Sequence, residues 1–574
     1  MKNKKTIKKK SFYFPDYSET EVFDNSKNFN IKRISLNRIT FLSIIFFSLL
    51  LICSAKIIYL SLSSEKSFYS DNLKKNLLKK RRNIVDRNGS VIATNVNLYD
   101  IGVRPKLLEE EEKKNLIINL KLLRPKTNLN KIKKKLNGDE FFWLEKRLTP
   151  QEKDKFWLTG NKAFEFKPRS SRIYPQRNLF SHILGQTDDV NNGISGIEKF
   201  FNNDLQNIEK IEAPLTLTID TNLQYLIREE LVKSQVDFKN VGSGAILMNI
   251  ENGEILSLIS LPDYDLNQRI SINSDIYTNK ITLGVYELGS VFKTFTIAAG
   301  LENNLISPST VFENLESSLN CDKYKIREHD KLPKNLSVEQ ILIRSSNIGA
   351  VRIAQKIGVE KYKNFLNSLK LLNSIDFDLE EIGTPLLFKW GKCKLATASY
   401  GHGVTTTPLQ LARAYAILGN GGYEIQPTLL KDKKKPHYSK KQIISKKTSI
   451  EINSMLRKVV SEEEGTANFA NIDGYEIAGK TGTAIKYNSK EKLNTFVSLF
   501  PAHKPKYVLL VMLDEPKPAP NFVYEMPSSK KYPKGYKYKG ENRNTSGWNT
   551  VVVAGKIIEK IGPILAINYL EASK

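Results

Sequence analysis

The longest apolar stretch of this chain lies near its start. From Ile39 to Leu62 it reads ITFLSIIFFSLLLICSAKIIYLSL, with a single charge at Lys56. At about 1.5 Å of rise per residue, such a run crosses a hydrocarbon core of about 30 Å. Soluble helices apolar on every face are rare so close to a terminus. For a cleaved signal peptide the run is too long and lacks a small-residue A-x-A site. Ile52, before Cys53, is too large for a lipoprotein signal. The pattern predicts an uncleaved membrane anchor over residues 39–62.

Beyond the span the pattern changes several times. Leu73 to Arg82 reads as a basic helix. Asn83 to Arg104 alternates apolar and polar residues around Asn88-Gly89, which predicts a hairpin. Residues 105–165 mix short Lys/Glu helices with aromatic patches, as in a modest accessory lobe. After a break at Ala213-Pro214 come LTLTID and a helix from Asn222 to Lys233. Gly242 to Leu261 predicts two strands joined at Asn252-Gly253. Leu409 to Leu418 predicts an amphipathic helix stopped by Asn420-Gly421-Gly422. Tyr507 to Leu513 predicts a buried strand. Residues 515–547, rich in Pro, Lys, Tyr and Asn, predict a long mobile loop. Helices and strands in this arrangement indicate an α+β chain.

Charge adds little to this picture. The formal net charge is +27, but basic residues are spread along the whole chain. No RNP, zinc-finger or helix-turn-helix signature turns them into a nucleic-acid surface, so no nucleic acid is expected. Residues 1–38 carry basic side chains from Lys2 to Arg38, which favours a cytoplasmic tail. Lys66, Lys74, Lys75 and the run from Lys79 to Arg82 weaken that asymmetry. Five histidines without HExxH spacing and three cysteines without a CxxC pair give no metal site. Cys321 and Cys393 are either a pair or two free thiols.

Three short motifs carry chemistry. Ser290-Val291-Phe292-Lys293 follows Gly289 and precedes the apolar stretch TFTIAAGL. If it opens a helix, Ser290 and Lys293 share a face, and a buried lysine can take the serine proton. The glycine is expected to let the backbone approach a ligand. The same S-x-x-K spacing at Ser63/Lys66, Ser489/Lys492 and Ser528/Lys531 lacks that context. Ser345-Ser346-Asn347 sits between two amphipathic segments, VEQILIR and GAVRIAQKIG. Lys480-Thr481-Gly482-Thr483 reads as a strand presenting a lysine and two hydroxyls to a cleft. Each motif alone is weak. In this order, separated by 55 and 135 residues, they point to acyl transfer through a serine.

The three motifs together resemble those of the penicilloyl-serine transferases. Further stretches narrow the likeness to class B penicillin-binding proteins: RRNIVDRNGSVIA from Arg81, RIYPQRNLFSHILGQTDDVNNGISGIEKFFNNDL from Arg172, LTLTIDTNLQYLIREEL from Leu215, LPDYDLN from Leu261, YGHG from Tyr400 and TPLQLA from Thr407. The resemblance covers roughly residues 40–570. Its GIEKFF segment and lack of appended repeats look most like the division-specific FtsI type, with the elongation type as the alternative. Three positions depart from the family pattern. Arg82 stands where glycine is usual, Leu288 and Thr294 where prolines are common.

The resemblance implies a cytoplasmic basic tail over 1–38, the anchor over 39–62, and a β-rich pedestal of the dimerisation type over 63–212. Residues 213–574 would form a penicillin-binding/β-lactamase-like transpeptidase domain, an antiparallel sheet flanked by helices. It also implies an inner-membrane enzyme with a periplasmic catalytic domain that cross-links peptidoglycan stem peptides ending in D-Ala-D-Ala and is blocked by β-lactams. Ser290 would be the nucleophile and Lys293 the base. Ser345 would relay a proton with help from Lys480, and Asn347 would bind the substrate amide. Thr481, Gly482 and Thr483 would bind the substrate, its terminal carboxylate held by the two hydroxyls, and no cofactor is implied. Implied partners are an FtsW-type glycan polymerase and other division proteins. A β-lactamase needs neither span nor pedestal, a β-lactam receptor would carry more spans, and a bifunctional synthase would show E-D-x-x-F in residues 63–212. A non-catalytic scaffold would have no use for Lys293 and Lys480.

Overall fold

The computed structural model describes residues 31–62, 80–123, 128–268, 275–322, 324–386, 389–391, 393–431, 438–487, 489–526, 535–540 and 542–572. The chain divides into two units, residues 1–78 and 79–574. In the first, helix α1 (Ile31–Leu62) has no distinct polar face. Its segment Arg38–Tyr59 has a mean hydropathy of 2.5 and is long and apolar enough to cross a membrane. Most of the expected tail and of the basic helix Leu73–Arg82 lie outside the described residues. Residues 80–82 are not helical.

The second unit begins with the predicted hairpin. Strand β1 (Ile84–Val85) turns through Asp86, whose Oδ1 accepts from Asn88 N (2.9 Å) and Ser90 N (2.8 Å), into the long β2 (Val91–Val103). Helices α2 (Glu110–Leu123) and α3 (Leu129–Leu136), strand β3 (Phe142–Leu148), helix α4 (Pro150–Trp157) and strand β4 (Phe164–Ile173) follow. The aromatic patches around Phe142 and Phe164 are thus strands, that at Phe156-Trp157 ends α4, and β4 pairs with β2 from Thr94↔Ile173 to Val103↔Phe164. Ile101, Leu116, Leu120, Ile132, Leu136, Phe142 and Phe156 form a separate small core at this end.

At the other end of β2 the lobe is held by buried charge. The Arg81 guanidinium bonds Glu198 (2.7 Å) and the carbonyls of Glu198 and Asn191 (both 2.8 Å), and Arg172 Nε takes the second Glu198 oxygen at 2.6 Å. A carboxylate shared by two guanidiniums resists removal, because any loss strands a buried charge. Arg82 pairs with Asp204 and donates to Ala213 O (2.7 Å). Strand β5 (Leu215–Thr216) then pairs in parallel with β1, so the sheet continues through the break at Ala213-Pro214.

Helix α5 (Thr221–Phe238), capped by Asp220, leads into the central sheet through β6 (Gly242–Asn249) and β7 (Ile255–Leu261). After these come α6 (Lys293–Glu302), α7 (Val338–Ile343), α8 (Asn347–Ile357), α9 (Pro408–Gly419) and α10 (Lys446–Ser461). Strands β8 (Ala478–Ile485), β9 (Lys492–Phe500) and β10 (Tyr507–Asp514) and helix α11 (Thr550–Ala572) complete the unit. The sheet order is β8-β9-β10-β6-β7, antiparallel throughout. Strands β6, β7 and β10 are buried at nearly every position because the sheet is covered on both faces. Helices α5 and α11 pack together on it, as do α9 and α10.

Two expectations need correction. Helix α9 is not amphipathic, since every residue from Pro408 to Leu418 is buried. Its two polar side chains are bonded internally, Arg413 to Ile425 O (2.8 Å) and Leu369 O (3.0 Å), and Gln410 to Lys370 O (2.9 Å). Nor is 515–547 simply a loop. Val523–Met526 pairs with Tyr536–Lys539, and Phe522, Tyr524 and Tyr538 cluster with Trp548 and Phe469. The aromatic residues that coloured its composition make its core. Cys321 and Cys393 form a disulfide, with their Cα atoms 5.7 Å apart.

Candidate active site

The Ser290 motif opens a helix as expected, beginning with a single 3-10 turn. Gly289–Phe292 forms that turn and runs directly into α6. One turn separates Ser290 from Lys293, so both face the same side. Ser290 is half-buried, whereas Lys293 is fully buried by its apolar helix. Gly289 has φ +66°, and a Cβ there would stand 2.6 Å from Thr483 O. A Cβ on Gly482 would meet Leu288 O at 2.2 Å. The close approach foreseen at Gly289 is therefore made to β8 of the protein itself, so the two glycines seat the Lys480 strand against the Ser290 turn.

Ser345 sits where α7 ends. Ser346 N donates to Ile341 O (3.0 Å) and Ser345 N to Leu342 O (3.3 Å), a Schellman closure with Ser345 in the left-handed position at φ +59°. Glycine is the usual occupant of that position. A serine there bears strain, which in folded proteins clusters at working sites. The geometry aims its hydroxyl between the two motif lysines. Lys293 Nζ donates to Ser345 O (2.5 Å) and Oγ (3.1 Å), while Lys480 Nζ donates to the same Oγ at 2.9 Å.

Burial sets the protonation of both amines. Desolvation lowers Lys293 to about 7, opposed by the charge of Glu328. Lys480, fully buried on β8, is held well below the ordinary lysine value by desolvation and then by the charge of Lys293. Two amines meeting on one hydroxyl titrate as a coupled pair. A neutral amine beside a charged one is the state that both takes and supplies a proton.

The remaining motif residues surround this centre. Asn347 Nδ2 donates to Arg327 O (2.8 Å), while its buried Oδ1 has no hydrogen-bond partner. Thr481 Oγ1 lies 2.8 Å from Thr466 Oγ1, and Thr483 Oγ1 accepts from Ser546 N at 3.0 Å. Reasoning from sequence missed Thr466, Ser546 and Glu328, whose short polar stretches carry no pattern of their own. Among the described residues no group of three or more His, Cys, Asp or Glu is arranged to hold a metal. A cavity of about 1300 Å³ lined by α9, α10 and the segment after β9 contains none of the motif residues.

Comparison with known proteins gives the family. Residues 243–532 match the penicillin binding protein transpeptidase domain, and residues 78–214 the penicillin-binding protein dimerisation domain. A probable peptidoglycan D,D-transpeptidase FtsI of Caulobacter vibrioides is 29% identical over 503 residues, covering 85% of this chain and 82% of the relative. The peptidoglycan D,D-transpeptidase FtsI of Buchnera aphidicola subsp. Baizongia pistaciae is 32% identical over 547 residues, covering 86% and 94%. Penicillin binding protein 3 of Mycobacterium tuberculosis, solved with aztreonam, superposes with a TM-score of 0.63 over 84% of this chain and 96% of that one. At 19% identity this last likeness shows the fold. With both domains matched in order and FtsI relatives aligned over most of their length, the chain belongs to the class B penicillin-binding protein transpeptidases, in the FtsI branch.

Proposed function

We propose that Ser290 is the acyl-forming nucleophile of a D,D-transpeptidase that cross-links stem peptides during septal wall synthesis. The observation that carries this reading is the convergence of Lys293 Nζ, from one turn after Ser290, and of Lys480 Nζ on Ser345 Oγ. Neutral Lys293 takes the proton of Ser290 as its Oγ attacks the penultimate carbonyl of a D-Ala-D-Ala terminus. The backbone N–H groups of Ser290 and Thr483 receive the oxyanion, a contribution of about 3 kcal/mol per donor. Ser345, between the two lysines, passes a proton to the departing amine of D-Ala. The amine of a second stem then attacks the acyl-serine and closes the cross-link.

Substrate contacts follow from what the side chains have left to offer. The partnerless Oδ1 of Asn347 accepts a substrate amide N–H. Thr481 and Thr483, with the positive potential of Lys480 and the close seating that Gly482 permits, hold the terminal carboxylate. β-Lactams acylate the same serine in this reading, and the solved relative is itself complexed with aztreonam. The layout follows the family: a tail over 1–38 in the cytoplasm, an anchor over 39–62, a pedestal over 63–212 and a periplasmic catalytic domain over 213–574. An FtsW-type polymerase is the partner suited to span and pedestal.

The test is a fluorescent penicillin with wild type and Ser290→Ala, the adduct mapped by mass spectrometry. A long-lived adduct on Ser290, absent from the variant, is expected. Rapid nitrocefin turnover would instead make the chain a hydrolase, and no adduct in folded protein would make it a scaffold.

A further inference from the structure

Glu328 was not singled out by any motif, yet it lies at the centre of the hydrogen bonding around Ser345–Asn347. It follows the hairpin of Ser318–Cys321 and Tyr324–Arg327, which the Cys321–Cys393 disulfide ties to the segment before Gly401. Its Oε1 accepts from Ser346 Oγ (2.6 Å) and Ile348 N (2.9 Å), and its Oε2 from Asn347 N (2.7 Å). Ser346 Oγ in turn accepts from Gly349 N at 2.9 Å. The first three N–H groups of α8 are therefore satisfied by one carboxylate and the serine it holds. The neighbouring Arg327 O fixes the Asn347 amide at 2.8 Å.

We propose that Glu328 is a positioning residue for the acyl-transfer site, its carboxylate clamping the start of α8 so that Ser345 and Asn347 stay in register with Lys293. The inference rests on the Ser290 reading above. Two physical effects act together. Charge-assisted bonds to helix N–H groups are the strong kind, and the positive end of α8 favours an anion. The same anion is also the acidic group whose charge Lys293 feels. Near Lys293 besides Glu328 are Lys480 from β8, whose own protonation the Lys293 charge opposes, and His329 beside the carboxylate, on which Lys293 and Lys492 of β9 both act. Glu328 thus sets both where the Ser345 hydroxyl stands and how readily Lys293 is neutral.

Glutamine keeps the shape of this side chain but removes its charge and turns one acceptor into a donor facing an N–H. Acylation of Ser290 by a fluorescent penicillin, followed from pH 5.5 to 9, distinguishes positioning from mere structural support. In Glu328→Gln the acylation rate is expected to fall about tenfold. The midpoint of its rise with pH is expected to move down by about half a unit or more, because the anion favouring charged Lys293 is gone. Ser346→Ala, which keeps the carboxylate, should lose rate without moving the midpoint. Glu328→Asp, with charge kept and reach shortened, should recover the midpoint but not the full rate.

Wild-type labelling on Ser290 is the control for the underlying reading, since its absence would sink that reading rather than this one. If wild type labels, and folded Glu328→Gln labels at the same rate with the same midpoint, the inference is overturned. If Glu328→Gln does not fold, Glu328→Asp decides the matter, and a wild-type rate in it would overturn the proposal.

Discussion

Replacing Lys293 by methionine should abolish acylation and yet stabilise the folded protein near neutral pH. Burial lowers the amine from 10.5 to about 7. The unfolded chain therefore binds more protons than the folded one between pH 7 and 10.5, and stability rises with pH across that window. Each unit of depression is about 1.36 kcal/mol, so below pH 7 the lysine costs the fold roughly 5 kcal/mol. Methionine has a similar shape and never charges. It forfeits the bonds to Ser345 O and Oγ, about 1–3 kcal/mol together. The net expectation is a gain of about 2–4 kcal/mol at pH 6–7, falling to zero near about pH 9 and reversing above it. Release of Lys480 from its charged neighbour acts in the same direction at low pH. Urea unfolding of the two full-length chains, compared at each pH, cancels the titration they share. A stability difference that stays constant from pH 6 to pH 10 would refute the account of Lys293 as a lysine kept neutral by burial.

Three further outcomes follow from the site. Ser345→Gly should be about 1 kcal/mol more stable than Ser345→Ala in urea, because only glycine is unstrained at φ +59°; both should lose most acylation of Ser290. Gly289→Ala should give a chain that folds by circular dichroism but takes no penicillin, since its Cβ would force β8 away from the Ser290 turn. Reduction of the Cys321–Cys393 bond, 72 residues apart in sequence, should cost up to about 4 kcal/mol in the same unfolding assay and slow acylation by loosening the hairpin that delivers Glu328.

How much of this was legible in the sequence depends on the range of the interaction concerned. Strand β10 announced itself as an apolar run, as a strand covered on both faces should, and β6 and β7 as two strand segments on either side of Asn252-Gly253. The three motifs were legible through their order and flanking context, since helix geometry alone would place the serine and lysine of Ser489/Lys492 or Ser528/Lys531 on one face just as well. Helix α9 misled because Gln410 and Arg413 look like a polar face until their carbonyl partners, from residues 369, 370 and 425, are in place. The aromatic hairpin near Trp548 was hidden by its Lys and Asn content, as the partners that bury it include Phe469 from a distant segment. The carboxylate of Glu328, 18 residues before Ser346, had no local signature at all.

The departures from the family pattern show how packing takes over where backbone rigidity is given up. Proline stiffens a chain by fixing φ, and around the Ser290 turn this chain has Leu288 and Thr294 instead. Leu288 is fully buried, and its carbonyl lies against Gly482. The Thr294 hydroxyl lies 2.8 Å from Tyr415 Oη, which itself donates to Val291 O at 2.9 Å. With the tyrosine proton committed to that carbonyl, threonine must be the donor, and the pair clamps the turn between Ser290 and Lys293 onto the buried helix α9. Arg82 works likewise in the pedestal, reaching Asp204 and Ala213 where a glycine could not. Such side-chain clamps restrain the turn through tertiary contacts, so they hold only while α9 is docked. Rigidity at Ser290 is then a property of the folded core.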